Sequence, residues 1–306
     1  MKLPDIYKNQ QETGNMFFLQ KCPAISFEIF PPKADSIEEK INTLFQEMQV
    51  LKEFDPVLIS ITYGAGGSNV ENALLITKRV KEELGLVPMP HFTCVLKDRD
   101  YVRDYLRSIK ELGVENILAL RGDKSKDAKD AKDAKDAQES ESDFCYANEL
   151  VEFIKTETDL SIGVAGYPEG HNECQNIEKD IENLKKKVDA GADVIYTQLF
   201  FDNTHFTRYV QLVRDAGITI PIIPGILPIS SYTQLEKMIA LCNVEVPGAL
   251  REQLEKHKNS PEIIKEIGID FASYQCRQLI DSEVKGLHFY CLNKSEPVKS
   301  ILENIL

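Results

Sequence analysis

A glutamate stands in the middle of an apolar run that reads Ile25-Ser26-Phe27-Glu28-Ile29-Phe30-Pro31-Pro32-Lys33. An ionised carboxylate is costly to bury without partners, so this position asks for a reason. Side chains alternate along a strand: Ile25, Phe27 and Ile29 share one face, and Ser26, Glu28 and Phe30 the other. The Pro31-Pro32 pair ends the strand just past Glu28. Burial tightens a carboxyl group's hold on its proton, which suits a general acid working near neutral pH. A pair with an internal Lys or Arg explains the same glutamate equally well, and this strand alone does not choose between them.

Other chemistry-bearing residues sit where apolar runs stop. Leu118-Ala119-Leu120 is followed by Arg121-Gly122-Asp123, a turn with charges of both signs. An Arg–Asp surface pair is the plain alternative there. Thr62-Tyr63-Gly64-Ala65-Gly66-Gly67-Ser68 is a Gly-rich turn ahead of a helical pattern, and its backbone N–H groups would suit a phosphate or a flat ring. Tyr167 and His171 follow another run, Gln198 ends a further one, and His91 lies near the start of its own. A lone His or a Gly-bearing turn is more often structural than catalytic. Five run-ends of this kind on one rim describe a site for a large, polar, ring-bearing ligand.

The elements that must position these residues are read from periodicity. Strand patterns fall at 24–30, 57–62, 90–95, 116–121, 161–166, 194–199, 221–226 and 286–290. Helical patterns fall near 36–53, 69–84, 99–112, 144–157, 173–190, 203–216, 231–242, 261–283 and 295–305. Eight strands, each followed by a helix, predict a parallel sheet closed as a (β/α)8 TIM barrel, α/β in class. An open doubly wound sheet is disfavoured because no Gly-x-Gly-x-x-Gly follows the first strand. In 173–190, Ile177, Ile181, Leu184 and Val188 form one apolar stripe. Asp180, Asn183 and Lys187 run beside it, and spacing alone reads them as a solvated flank.

The chain has 306 residues, which suits one catalytic barrel at 24–306 behind an N-terminal extension at 1–23. After the fourth strand, 124–143 carries an Asp-Ala-Lys repeat with no aromatic residue. Such a segment has nothing with which to build a core and reads as a solvated low-complexity insertion. The net charge of −13 disfavours sequence-independent binding to nucleic acid, which relies on Lys and Arg. No apolar run is long enough to span a bilayer, and the N-terminus lacks a signal-peptide pattern, so a cytoplasmic protein is expected. Seven scattered cysteines without a C-x-x-C predict reduced thiols and no metal centre.

In order and spacing, SFEIFPPK, ITYGAGG, HFTC, LALRGD, AGYPEGH, KKKVDAGADVIYTQLFFD, IIPGILP and HFYCLNK resemble the methylenetetrahydrofolate reductases, from about residue 24 to the C-terminus. The chain is similar to the short bacterial type, without the regulatory domain of longer relatives. The resemblance implies an oxidoreductase of one-carbon metabolism with FAD at the barrel mouth, serving methionine biosynthesis. NADH or NADPH would reduce the flavin and leave. 5,10-Methylenetetrahydrofolate would then bind in its place and accept the hydride, giving 5-methyltetrahydrofolate. Glu28 would be the general acid that protonates N10 as the folate ring opens, and Asp123 would tune the flavin from beside its pyrimidine edge. Gln198 and Gln234 match folate-contacting positions. Thr62, Tyr63, Ala65, His91, Arg121, Gly122, Ala147, Tyr167, His171, Asp180, Asn183, Lys186 and Lys187 match flavin-contacting ones, which turns the polar flank at 180–187 into part of a cofactor cradle. Relatives are commonly homo-oligomers.

Three positions depart from the family pattern. Lys294 and Lys186 stand where Arg is common, keeping charge but losing the bidentate fork. Met238 stands where some members carry an aromatic residue. Two other readings compete. Another flavin-dependent barrel, such as one oxidising proline, calls for paired Arg residues near the last helix, where only Arg277 is found. A non-catalytic, reductase-like subunit is expected to have lost its acid or its flavin contacts, whereas Glu28, Asp123 and Gln198 are all present.

Overall fold

The strand patterns close on themselves in the computed structural model, which describes residues 1–9, 23–32, 37–63, 70–122, 142–174 and 176–306. β1 (Ala24–Ile29), β2 (Leu58–Ile61), β3 (Pro88–Thr93), β4 (Asn116–Leu120), β5 (Ser161–Gly166), β6 (Val194–Leu199), β7 (Ile222–Ile226) and β8 (Gly286–Tyr290) pair in chain order as one closed barrel. Every pairing is parallel, including β1 with β8, where Ser26 lies opposite His288 and Glu28 opposite Tyr290. The fold is the (β/α)8 barrel that the alternating patterns predict.

Helices cover the outside: α1 (Leu3–Asn9), α2 (Ile37–Lys52), α3 (Val70–Glu82), α4 (Arg99–Glu111), α5 (Ala147–Glu157), α6 (Ile177–Asp189), α7 (Asn203–Asp215), α8 (Tyr232–Cys242), α9 (Gly248–Lys256), α10 (Pro261–Asp281) and α11 (Glu296–Ile305). α4 shows why such segments dock. Val102, Tyr105, Leu106 and Ile109 are buried at helical spacing, and Asp98 caps the start by accepting from the Tyr101 N–H at 2.8 Å.

Two apolar layers follow from strand alternation. Ile25, Phe27 and Ile29 face outward into the main core between barrel and helices. Inside the barrel floor, Ala24, Leu58, Met89, Leu118, Val194, Tyr196 and Ile223 pack with Leu3, Ile6 and Tyr7 of α1. A third cluster lies under the loops after β6 and β7, where Leu199, Phe201, Leu227 and Ile229 meet α8, α9 and α10.

The boundaries differ from the sequence pattern where a local bond decides. β3 starts at Pro88 rather than 90, because Pro88 and Pro90 already lie in register with Ile59 and Ile61 of β2, whereas pairing with β4 begins at His91. α6 starts at Ile177 rather than 173, because the Asn176 side chain accepts from the Lys179 N–H at 3.0 Å. α5 starts at Ala147 rather than 144, with Glu149 accepting from the N–H groups of Cys145 and Tyr146. Two helices, α1 and α9, were not among the sequence patterns. The first begins the segment read as an N-terminal extension, and Asn116 holds it under the barrel by accepting from Leu3 N–H at 2.9 Å and donating to the Met1 carbonyl at 2.9 Å.

Candidate active site

Glu28 points into the barrel near the C-terminal end of β1 and is 7% exposed. Its ion-pairing neighbours among the described residues are both histidines. His91 Nε2 lies 3.5 Å from Glu28 Oε2, and His288 Nε2 lies 3.9 Å from the same oxygen. The internal Lys or Arg partner considered from sequence is therefore replaced by two imidazoles. Each ring is tethered by a serine: Ser60 bonds His91 Nε2, and Ser26 Oγ lies 2.8 Å from His288 Nδ1. Tyr290, also on an inward position of β8, donates its hydroxyl to the Thr197 carbonyl at 2.7 Å. Ser26, Ser60, His288 and Tyr290 were not singled out from sequence. The signal that finds them is alternation: Gly286, His288 and Tyr290 share one face of GLHFY, as Ser26 and Glu28 do in ISFEIF.

Burial pushes the His91 imidazole down to about 4, against the pull of the Glu28 carboxylate. It is therefore neutral around pH 7 and presents Nε2 to both Ser60 and Glu28. The unfolded chain binds a proton at this ring from about pH 6.5 downward, whereas the folded chain resists until about 4. Stability from this residue is thus lost as pH falls through that window. A His91→Gln variant is expected to show a flatter decline of melting temperature between pH 6.5 and 4 than the parent chain. An unchanged slope would show that His91 does not carry this linkage.

A second group of candidates meets at the ends of β4 and β5. The Tyr167 and His171 rings make an edge contact at 4.6 Å between centroids. Lys187 donates from Nζ to the Ala165 carbonyl at 2.6 Å and sits 5.9 Å from the Tyr167 ring. Burial lowers the Lys187 ammonium to about 8, partly opposed by Asp180. Burial raises the Asp180 carboxyl, opposed by Lys187 and His171, and burial also lowers His171. Asp180 and Lys187 are thus turned inward rather than lying on a solvated flank. Asn183 and Lys186 are exposed, with Lys186 Nζ 3.3 Å from Asn183 Oδ1.

Arg121 reaches the same rim, where its guanidinium grips Glu173 of the loop after β5 with two bonds of 2.7 Å. Gly122 has φ +93°, and a Cβ there would come within 2.8 Å of Val95 Cγ1, so only glycine fits this turn. Thr62 is half-buried beyond β2, and its N–H donates to the Ile29 carbonyl at 3.0 Å. Ala147 is the first residue of α5. Tyr63 is the outlier among the candidates. Its ring is 2% exposed and packs outward against Phe92 and Tyr105, so only its backbone is left to face the mouth. Ala65, Asp123 and the repeat insertion at 124–141 lie outside the described residues.

The remaining candidates follow the ends of β6, β7 and β8. Gln198, at the end of β6, accepts through Oε1 from the Leu199 N–H at 2.9 Å. Gln234 and Lys294 line one cleft of about 140 Å³ together with Pro228, Ser230, Ser231 and Leu292. The Gln234 amide is committed to this turn, accepting from Ser230 N–H and Oγ at 2.8 and 2.6 Å and donating to the Pro228 carbonyl at 3.1 Å. The site therefore presents an acid ringed by neutral donors and acceptors, a partly buried cation, and an aromatic pair. That set is suited to an anionic, ring-bearing ligand beside a proton-transfer centre.

Comparison with known proteins gives a consistent picture. A family model described as methylenetetrahydrofolate reductase matches residues 15–306. A 5,10-methylenetetrahydrofolate reductase from Pectobacterium carotovorum is 36% identical over 292 residues, which cover 95% of this chain and 93% of that protein. The Escherichia coli protein of the same name is 35% identical over 272 residues, 89% of this chain and 87% of its own. Methylenetetrahydrofolate reductase (NADH) 1 from Arabidopsis thaliana is 35% identical over all of this chain, which spans only 51% of the plant protein's length. A solved structure of a Clostridium thermocellum protein, described as binding two copies of 5-methyl-5,6,7,8-tetrahydrofolic acid, superposes with a TM-score of 0.69 at 15% identity. The superposition covers 98% of this chain and 97% of that one, and at such low identity it speaks for the fold.

Proposed function

The chain belongs to the methylenetetrahydrofolate reductase family, and on that premise we propose that it reduces 5,10-methylenetetrahydrofolate to 5-methyltetrahydrofolate, with FAD as resident cofactor and NADH or NADPH as electron donor. The plant relative is named for NADH, which favours NADH. The observation that carries the reading is Glu28, inside the barrel mouth with two histidines and no cationic Lys or Arg among its described ion-pair partners. A carboxyl so placed stands at the barrel mouth without an Arg clamp among its described partners, where it can meet a bound substrate.

The donor set fits the flavin cofactor. Lys187 supplies a cation for its phosphates, with Arg121 beside it. Tyr167 and His171 supply aromatic edges, and Thr62, Gly122 and Ala147 bring backbone close to the rim. When bound, the flavin carries a hydride from the nicotinamide to the one-carbon unit of the folate. The chain's own task is the proton. The bond from the one-carbon unit to N10 breaks, N10 keeps the electron pair, and Glu28 supplies the proton that N10 takes. His91 and His288 flank that carboxyl, while Gln198, Gln234 and Lys294, from the ends of β6, β7 and β8, would contact the folate. Nicotinamide and folate would use one mouth in turn.

Anaerobic single-turnover measurements test the function directly. The purified protein should be yellow, bleach on addition of NADH, and regain its colour with methylenetetrahydrofolate. A colourless protein that takes up no FAD would overturn the proposal. Lys187 adds a pH test. Because its ammonium loses its proton near pH 8, FAD affinity is expected to fall about tenfold as pH rises from 7 to 9.5, the factor that one charge-assisted contact carries. Lys187→Met should bind weakly at all pH values and lose that dependence. Equal affinity in the parent at both ends of the range would remove Lys187 from the cradle.

A further inference from the structure

The ladder between β1 and β8 stops where the site begins. Its last register pair is Glu28 with Tyr290. Cys291 follows, and then Leu292 and Asn293 both take left-handed backbone, with φ +48° and +59°. That conformation is unfavourable for side-chain-bearing residues, least for asparagine and more for a bulky leucine. The β8 strand itself ends at Tyr290, so it offers Phe30 no ladder partner. The Asn293 side chain supplies one. Its Oδ1 accepts from the Phe30 N–H at 2.8 Å, and its Nδ2 donates to the Phe30 carbonyl at 2.7 Å. One amide thus stands in for a strand residue, two positions beyond Glu28.

The same turn carries Lys294. The Lys294 N–H donates to the Cys291 carbonyl at 3.0 Å. Ser295 closes the far end, with its N–H and its Oγ each 2.6 Å from Glu47 Oε2 on α2. Within 291–295 only Lys294 is exposed, and it lines the cleft with Gln234, as Cys291 and Leu292 do. A lysine side chain is flexible, so the reach of its charge depends on how firmly its backbone is held.

We propose that Asn293 is a positioning residue, which anchors the turn bearing Lys294 to the backbone just past Glu28 and so holds that cation in the folate cleft. Backbone in a sparsely populated region persists only where its surroundings over-determine it. Here the constraints come from β1 on one side and α2 on the other, and what they fix in place is the exposed ammonium. The ligand in this statement rests on the reductase reading given above; the anchoring does not.

Two variants isolate the amide. Glycine is freer than asparagine at a φ of +59°, and alanine is less free. What Asn293→Gly and Asn293→Ala share is the missing side-chain amide. Amide hydrogen exchange on the purified chain, without any ligand, reads the anchoring. Exchange at the Lys294 N–H should rise about tenfold in both variants, the factor of one to two net hydrogen bonds. Exchange inside α11, at Ile301 for example, should stay as in the parent. A Lys294 amide as protected as in the parent overturns the proposal. A rise in Asn293→Gly alone is glycine's own freedom and overturns it as well.

Steady-state kinetics read the consequence. Asn293→Gly should raise KM for methylenetetrahydrofolate about fivefold, with flavin reduction by NADH changed less than about twofold. Lys294→Met should raise that KM about tenfold, the factor of one charge-assisted contact. The double variant should match Lys294→Met alone, because an anchor has nothing to add once the anchored charge is gone. A purely structural role for Asn293 would instead multiply the two effects, to about fiftyfold, and that result overturns the proposal. So does an unchanged KM in Asn293→Gly. A parent chain that does not reduce the folate refutes the reductase reading, and the exchange measurement then still decides whether Asn293 holds the turn.

Discussion

Glu28→Gln is expected to keep its flavin and to be reduced by NAD(P)H at the parent rate, yet to reduce methylenetetrahydrofolate about 10²- to 10⁴-fold more slowly, the usual contribution of a positioned acid. The amide fills the same space between β1, β2 and β8, where Glu28 lies opposite Ser60 and Tyr290. It still lies beside His91 and His288, so the fold should stand. What it lacks is a proton it can release. In the proposed cycle only the second half breaks a carbon–nitrogen bond whose electron pair must be protonated, so the two half-reactions should separate cleanly. If both half-reactions slow together, Glu28 serves cofactor geometry rather than acid catalysis. If neither slows, the proton comes from elsewhere. His91 and His288 would be the next groups to vary, since they are its ion-pairing neighbours among the described residues.

Gly268→Ala is expected to destabilise the barrel by about 2 kcal/mol or more and to raise KM for the folate. Gly268 lies inside α10, where alanine would ordinarily be favoured by about 1 kcal/mol. Here a Cβ would stand 2.0 Å from the Ile229 carbonyl oxygen and 2.9 Å from its carbon. Both are backbone atoms of a buried segment, so no side-chain rotation relieves the overlap. The overlap outweighs the propensity gain, and either the helix or the 228–231 turn must move. That turn holds Gln234 by three hydrogen bonds and forms the cleft shared with Lys294. Thermal melting and steady-state kinetics check the two halves of the expectation. A variant that melts normally but binds folate poorly would place the strain in the turn alone. A variant unchanged in both would show that the helix backs away without cost.

The candidate site was legible where residue type and strand position coincide. Glu28 stands on an inward face just before a proline stop, and Tyr167 and His171 follow a strand end, so alternation and punctuation were enough to mark them. Tyr63 shows the limit. It belongs to a Gly-rich turn that reads as a ligand-facing segment, but its ring finds Phe92, Tyr101 and Tyr105 behind the barrel. A large aromatic side chain follows available apolar surface, and the sequence of the turn does not record where that surface is. Asp180 and Lys187 show the opposite error. Their spacing reads as solvent-facing, yet the approach of α6 to the end of β5 turns them inward, and burial then shifts both.

The order of strands and helices, the face each strand presents inward, and the rim at which polar residues gather were determined by the sequence itself. Periods of two and about 3.6 are local properties, and any window of the chain displays them. Which inward residues become neighbours was decided only by closure of the barrel. Pairing of β1 with β8 sets Ser26 opposite His288, and pairing of β3 with β4 and β2 brings His91 to the same level as Glu28. Docking of α1 under the floor then brings the Tyr7 hydroxyl to that of Tyr196. Register between distant strands depends on the joint packing of both faces and of all eight strands at once, so no single segment contains it.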